Sequence, residues 1–310
     1  MSDEDLKIPV SALPMGSPSR TTGKSRPHPA FWAVWHVTSA LLIASLVLVA
    51  YSAVWEYSTR RYLEGFVDAI VPASAMPEGK IEAILQWMAQ GPARQRGGPS
   101  SNAPDRDPID TLNYASLLRV CGSATNAFIN LADSAGLSAR RLLLLDSRGV
   151  TTHVVAEVRL GGRWIVVDPS FRVIPRGAAG AFLTRRDLAD PAVFSAAVRA
   201  IPGYDPAYTY GRTAHVHITR LPVAGNFLRK MLNHVLPGWQ DSATLSLVLE
   251  RQSLATLVLA AAAVFFLCLI RWGLRWYGRA RFGIQAPRAR ARIQQAWAAF
   301  LRASRRPEWS

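Results

Sequence analysis

Two apolar stretches set the limits on how this chain folds. Residues 30–55 hold His36 as the one side chain that titrates near neutral pH, and residues 252–270 hold no charge at all. About 20 apolar residues in a helix cross the hydrocarbon core of a bilayer, so both stretches read as transmembrane helices. They divide the 310 residues into a tail (1–29), a first span (30–55), an intervening segment (56–250), a second span (252–270) and a C-terminal tail (271–310). The first stretch is longer than the apolar run of about 7–15 residues in a secretory signal. It therefore reads as a retained anchor, although the small residues at Ser52-Ala53 leave cleavage open.

Charge gives these spans a direction. The net charge is +15, unevenly spread. Residues 271–310 carry ten arginines against Glu308 alone, while residues 1–30 place Arg20, Lys24 and Arg26 nearest the first span. The segment 54–251 is nearly balanced, with 22 basic and 17 acidic groups. Basic flanks stay on the cytoplasmic side. Both termini are thus expected in the cytoplasm, with the intervening segment outside an inner (cell) membrane, in the periplasm if the cell is Gram-negative. A basic excess beside a membrane matches anionic lipid headgroups, not nucleic acid. The stretch 281–306 alternates arginines with Ile293, Trp297, Phe300 and Leu301, the pattern of an amphipathic helix lying on the inner leaflet.

The exported segment reads as an α+β domain. Residues 1–29 are polar and rich in Ser and Pro, a composition typical of disorder. Helices are expected over 57–70 and 76–89, the second with Ile81, Ile84, Leu85 and Met88 at helical spacing. Residues 91–108 read as a long loop, Asp110 as the cap of a short helix to Leu118, and Cys121 as the opening of a longer helix that Gly136 closes. Residues 140–146, with four leucines, read as helix or strand; strands are expected at 152–159 and 164–167, a helix from Leu183 through Val198, a strand at 215–218 and an amphipathic helix at 226–235. Leu160-Gly161-Gly162-Arg163 is a hairpin turn. If the two glycines are its tip, Asp168 falls opposite Val155, one diagonal step from His153. A shift of two would put it opposite His153 itself. Either register leaves both side chains on one face, about 4.5–8 Å apart.

Cysteine use points to a site. Of the two cysteines, Cys268 lies in the second span, so Cys121 is a lone thiol in a compartment that favours disulfides. A thiol that attacks, an imidazole that takes its proton and a carboxylate that holds the imidazole form a nucleophilic machine. Cys121, His153 and Asp168 supply those parts. Other polar groups read as structural: Arg140 pairing with a carboxylate, Glu157 paired or solvated, Trp164 in the core. His215 and His217 would share one strand face but lack further ligands at suitable spacing, and no metal or other cofactor is called for. Tyr204, Tyr208 and Tyr210 either line a cleft or pack a loop.

The run Cys121 to Ser170 resembles the transglutaminase-like superfamily of papain-related thiol enzymes. The carriers are Cys121 before a helix, Gly136-Leu137-Ser138-Ala139-Arg140 before a strand, His153 opening the next strand with Glu157 four residues on, and Trp164 to Pro169 closing the hairpin. A looser part reaches back to the helix ending in Gln86-Trp87-Met88. The resemblance implies a Cys-bearing helix packed on a small antiparallel sheet, with Cys121 as nucleophile, His153 as general base and acid, and Asp168 as the orienting group. Many members of the family carry an aromatic two residues after the histidine, where this chain has Val155. The backbone N–H of Cys121 is the natural first oxyanion donor. The expected activity is cleavage or transfer of an amide acyl group, as in a cysteine protease or amidase, on an envelope polypeptide or other amide-containing polymer. A cross-linking transglutaminase and a non-catalytic subunit of an envelope or polysaccharide assembly system are the alternatives.

Overall fold

The computed structural model describes residues 29–90, 107–113, 117, 120–215, 230, 233–234, 237–282 and 297–298. The chain divides into two compact units, residues 1–41 with 266–310, and residues 42–265.

Helix α1 (Pro29–Ile70) merges the first apolar stretch with the helix expected over 57–70. Nothing between them breaks a helix, because the first Pro or Gly after Pro29 is Gly65, whose position is open. Helix α8 (Gln252–Phe282) likewise runs past residue 270 into the region read as a tail. Both are long and apolar enough to cross a membrane. Their apolar side chains are largely uncovered, with Val47 at 65%, Val54 at 69% and Leu259 at 70% exposure, unlike a helix in a soluble core. In the smaller unit Arg271 donates to Ser39 Oγ and to the Trp35 carbonyl (3.4 Å), and its guanidinium lies 4.3 Å from the Trp35 ring centre.

The larger unit is α+β. Helix α2 (Pro77–Ala89) starts with Pro at its first position and Glu78 in the first turn, and buries Ile81, Ile84, Leu85 and Met88 as their spacing requires. Helix α3 (Pro108–Thr111) is shorter than expected and capped by Asp107, whose carboxylate accepts from Ile109 N, instead of Asp110. Pro108 dictates this, since a proline fits the first helical position and places the cap one residue before it. Helix α4 (Cys121–Ser134) opens at Cys121 and ends on Gly136 at φ +78°, where the Leu137 amide reaches back to the Ala132 carbonyl (2.8 Å).

Strands β1 (Ala139–Leu145), β2 (Thr151–Leu160), β3 (Arg163–Val167) and β4 (Thr213–Ala214) form an antiparallel sheet in the order β3-β2-β1-β4. Leu160 pairs with Arg163 and Ala156 with Val167, the register expected from a Gly161-Gly162 tip. Both glycines have positive φ, +53° and +83°, as a two-residue hairpin of the right twist demands. Strand β4 lies just before the strand expected at 215–218, of which residues 216–218 fall outside the described residues, as do most of 226–235 and 281–306.

The sheet has a hydrophobic layer on each face. One holds Ala156, Val158, Ile165 and Val167 with Phe128 and Leu131 of α4, Ile84 and Met88 of α2, and Leu63 and Val67 of α1. The other holds Leu142, Leu144, Val155 and Val166 with Leu188, Phe194, Tyr204 and Tyr210. The helix expected from Leu183 through Val198 is broken into α5 (Arg185–Leu188) and α6 (Pro191–Val198), because Asp190 caps a new start at Pro191.

Candidate active site

Helix α4, strand β2 and the end of strand β3 bring the three proposed residues together. Cys121 is the first residue of α4, at the positive end of its backbone dipoles. His153 sits near the start of β2 and pairs with Leu144 of β1. Asp168 follows β3 directly and shares the side-chain parity of Trp164 and Val166, so it faces the same way as His153 and Val155. The diagonal step expected from the hairpin closes as a contact: His153 Nε2 and Asp168 Oδ2 are 2.8 Å apart.

Both groups are fully buried, at 0% exposure. A carboxylate only accepts, so Nε2 carries the proton and donates. The second carboxylate oxygen, Oδ1, accepts from the backbone amides of Ser170 (3.0 Å) and Phe171 (3.3 Å), which fixes the carboxylate plane. The other ring nitrogen, Nδ1, is buried. The Cys121 thiol acts on the same ring through a hydrogen-bonding and a charge contribution. Burial opposes the imidazolium form. The charge and hydrogen bond of Asp168, with the thiol's smaller contributions, outweigh it and lift the His153 pKa to about 9. At neutral pH the ring is therefore held as a cation.

Aromatic rings enclose this imidazole. Tyr208 stacks on it with ring centres 4.2 Å apart and planes 4° from parallel. Phe171 and Tyr204 meet it edge-on at 5.9 Å and 6.2 Å. Burial, then the Asp168 charge, raises the Tyr204 and Tyr210 hydroxyls well above their ordinary range, so both remain neutral. Of the three tyrosines expected either to line a cleft or to pack a loop, Tyr204 and Tyr208 lie against the His153 ring, a contact that the sequence reading did not specify. Its signal was the spacing of three tyrosines within seven residues, which says nothing of the ring they cover.

Arg140 and Glu157 are structural, as expected, and more deeply placed. Arg140 Nε donates to Glu157 Oε2 (2.8 Å), its Nη1 to the Asp241 carbonyl (2.6 Å), and its guanidinium lies 4.0 Å from the centre of the Trp164 ring. His215 bridges Glu157 (2.8 Å) and Asp241 (2.9 Å) with its two nitrogens. Burial disfavours the Glu157 carboxylate, but His215 and Arg140 hold it below the usual range. His217 lies outside the described residues.

A second polar cluster involves residues of α4. Asn126 and Asn130 contact Glu250, and Arg251 contacts Asn130, Asp133 and Glu56. The readable sign was Asn126 and Asn130 four apart on an apolar helix; their partners stand more than a hundred residues on.

The family model described as the transglutaminase-like superfamily matches residues 64–169, from the last turns of α1 to the residue after Asp168. Searches of the curated proteins and of the solved structures find no match. The matched segment holds α2, the Cys-bearing helix and the β1–β3 sheet, and over these residues the chain is similar to the transglutaminase-like superfamily.

Proposed function

We propose that this domain is a membrane-anchored thiol enzyme that cleaves an amide through Cys121, His153 and Asp168. The observation that carries the reading is a buried imidazole held by a carboxylate at 2.8 Å while a helix-start thiol acts on the same ring. A cationic imidazole beside a thiol favours the thiolate, the nucleophilic form. The thiolate attacks the amide carbonyl, and the oxyanion forms beside the α4 N-terminus, where the Cys121 N–H serves as donor. His153 gives the Nδ1 proton to the departing amine, leaving a thioester. Water then adds as His153 takes its proton, and the carboxylic acid leaves with the thiolate and imidazolium restored. Asp168 keeps the ring in one orientation throughout.

Hydrolysis is preferred over cross-linking because Val155 stands where the family often has an aromatic that shapes an acyl tunnel. The two uncovered apolar helices support insertion in a cell membrane, with both termini cytoplasmic and the domain outside (periplasmic in a Gram-negative cell). The substrate is an envelope polypeptide or other amide-containing polymer near the bilayer, and the arginines beyond α8 meet anionic lipid. Incubating the full-length protein in micelles with polypeptide substrates and a dansylated amine tests the reaction. Cleavage without labelling, lost in Cys121→Ala, is expected. Covalent labelling would assign the chain to cross-linking, and full rescue of a deletion phenotype by Cys121→Ala would assign it a non-catalytic role.

A further inference from the structure

The nucleophile's helix is held from a place the reaction does not require. Arg141 of β1 reaches the first turn of α4, where its Nη2 donates to the Gly122 carbonyl (3.1 Å), one residue from Cys121. The same Nη2 donates to Glu250 Oε2 (2.7 Å). Glu250 is 2% exposed and ends helix α7 (Ala243–Glu250), with Arg251 alone between it and the start of α8. Its carboxylate also accepts from Asn126 Nδ2 (3.0 Å), and its backbone carbonyl accepts from Asn126 and from Asn130 (3.2 Å). Arg251, 2% exposed, continues the chain of contacts to Asn130 Oδ1 (2.8 Å), Asp133 (2.9 Å) and Glu56 of α1 (3.1 Å), and Ser253 of α8 donates to the same Glu56 (2.7 Å). A buried carboxylate held by two donors, with two more hydrogen bonds on the same residue's carbonyl, is a rigid joint, and losing the Arg141 partner leaves a charge stranded.

We propose that Arg141 and Glu250 are positioning residues for the Cys121 thiol, fixing the first turn of α4 to the root of α8. The inference rests on the thiol-enzyme reading above. It assigns Glu250 a task that its place at the edge of an apolar stretch conceals: the thiol faces His153 correctly only while the segment entering the second apolar helix is seated against α4. An excised domain that ends before Glu250 would keep all three reacting side chains and lose their alignment.

The test is the ultraviolet thiolate absorbance of the full-length protein in micelles, titrated with pH and differenced against Cys121→Ser to remove Cys268. Glu250→Gln and Arg141→Met are expected to raise the thiolate midpoint by about one pH unit, a tenfold loss of thiolate below it. Arg141→Lys, which keeps a charged donor, recovers part of that shift. The double variant Arg141→Met/Glu250→Leu strands no charge. It is expected to melt cooperatively yet titrate like the single variants, so it decides the question if they fail to fold. A double variant with the wild-type midpoint would overturn the inference while leaving the thiol-enzyme reading intact. A wild-type protein whose thiolate signal is indifferent to His153→Ala would overturn that reading, and this inference with it.

Discussion

Asp168 divides its work between its two oxygens, one for His153 and one for the Ser170 and Phe171 amides. Replacing it with Asn removes the charge that raises the His153 pKa and offers an amide where only an acceptor fits. Asp168→Asn should lower kcat/KM by about a hundredfold or more, read in steady-state assays. The pH profile follows with a definite sign. His153 is raised from 6.5 to about 9, so its cation is complete below the lower value and lost as pH rises through the upper one. Activity that needs the imidazolium to protonate a leaving amine should fall on the alkaline side with a midpoint near pH 9, and Asp168→Asn should move that limb down toward the ordinary histidine range. Tyr208→Ala removes a ring stacked on the imidazole, a contact of about 0.5–1.5 kcal/mol, or about two- to tenfold in kcat/KM; Tyr208→Phe, which keeps the ring, should stay near wild type. That His153 and Asp168 meet, and that Cys121 opens a helix, was legible because local rules place them: a strand, a turn of fixed register and a helix start. The stacking of Tyr208 on His153 was not legible, because its partner lies 55 residues away on a strand that its own sequence does not mention.

The hairpin β2–β3 is the element that turns sequence into site geometry. Its register follows from the two glycines alone, and a one-residue slip would carry Asp168 to the other face of the sheet. Gly162 has φ +83° with open space around its missing Cβ, so Gly162→Ala meets only conformational cost, about 1–2 kcal/mol, visible as a lower melting temperature. The Cys-bearing helix was equally readable, since Gly136 closes it through its left-handed conformation. The errors arose where proline and capping act at short range. Pro191 with Asp190 split an expected helix, and Pro108 moved a cap from Asp110 to Asp107. Cross-element polar contacts were illegible for another reason: Asn126, Glu250 and Arg251 each look like surface residues until the fold buries them together.

At the scale of the whole molecule, two apolar helices bracket the thiol domain in sequence, and the domain's last buried charges belong to the junction with the second. Reporter fusions after residues 200 and 310 should report the outside and the cytoplasm respectively, and a cytoplasmic signal at 200 would reverse the proposed topology. The central claim is that the Cys121 thiol is activated by His153 in the intact protein. The most direct measurement is the rate at which iodoacetamide alkylates Cys121 at neutral pH in the full-length chain, with Cys121→Ser subtracting Cys268. Rapid alkylation that slows by about a hundredfold in His153→Ala is the predicted result; slow alkylation at the same rate in both proteins would contradict it.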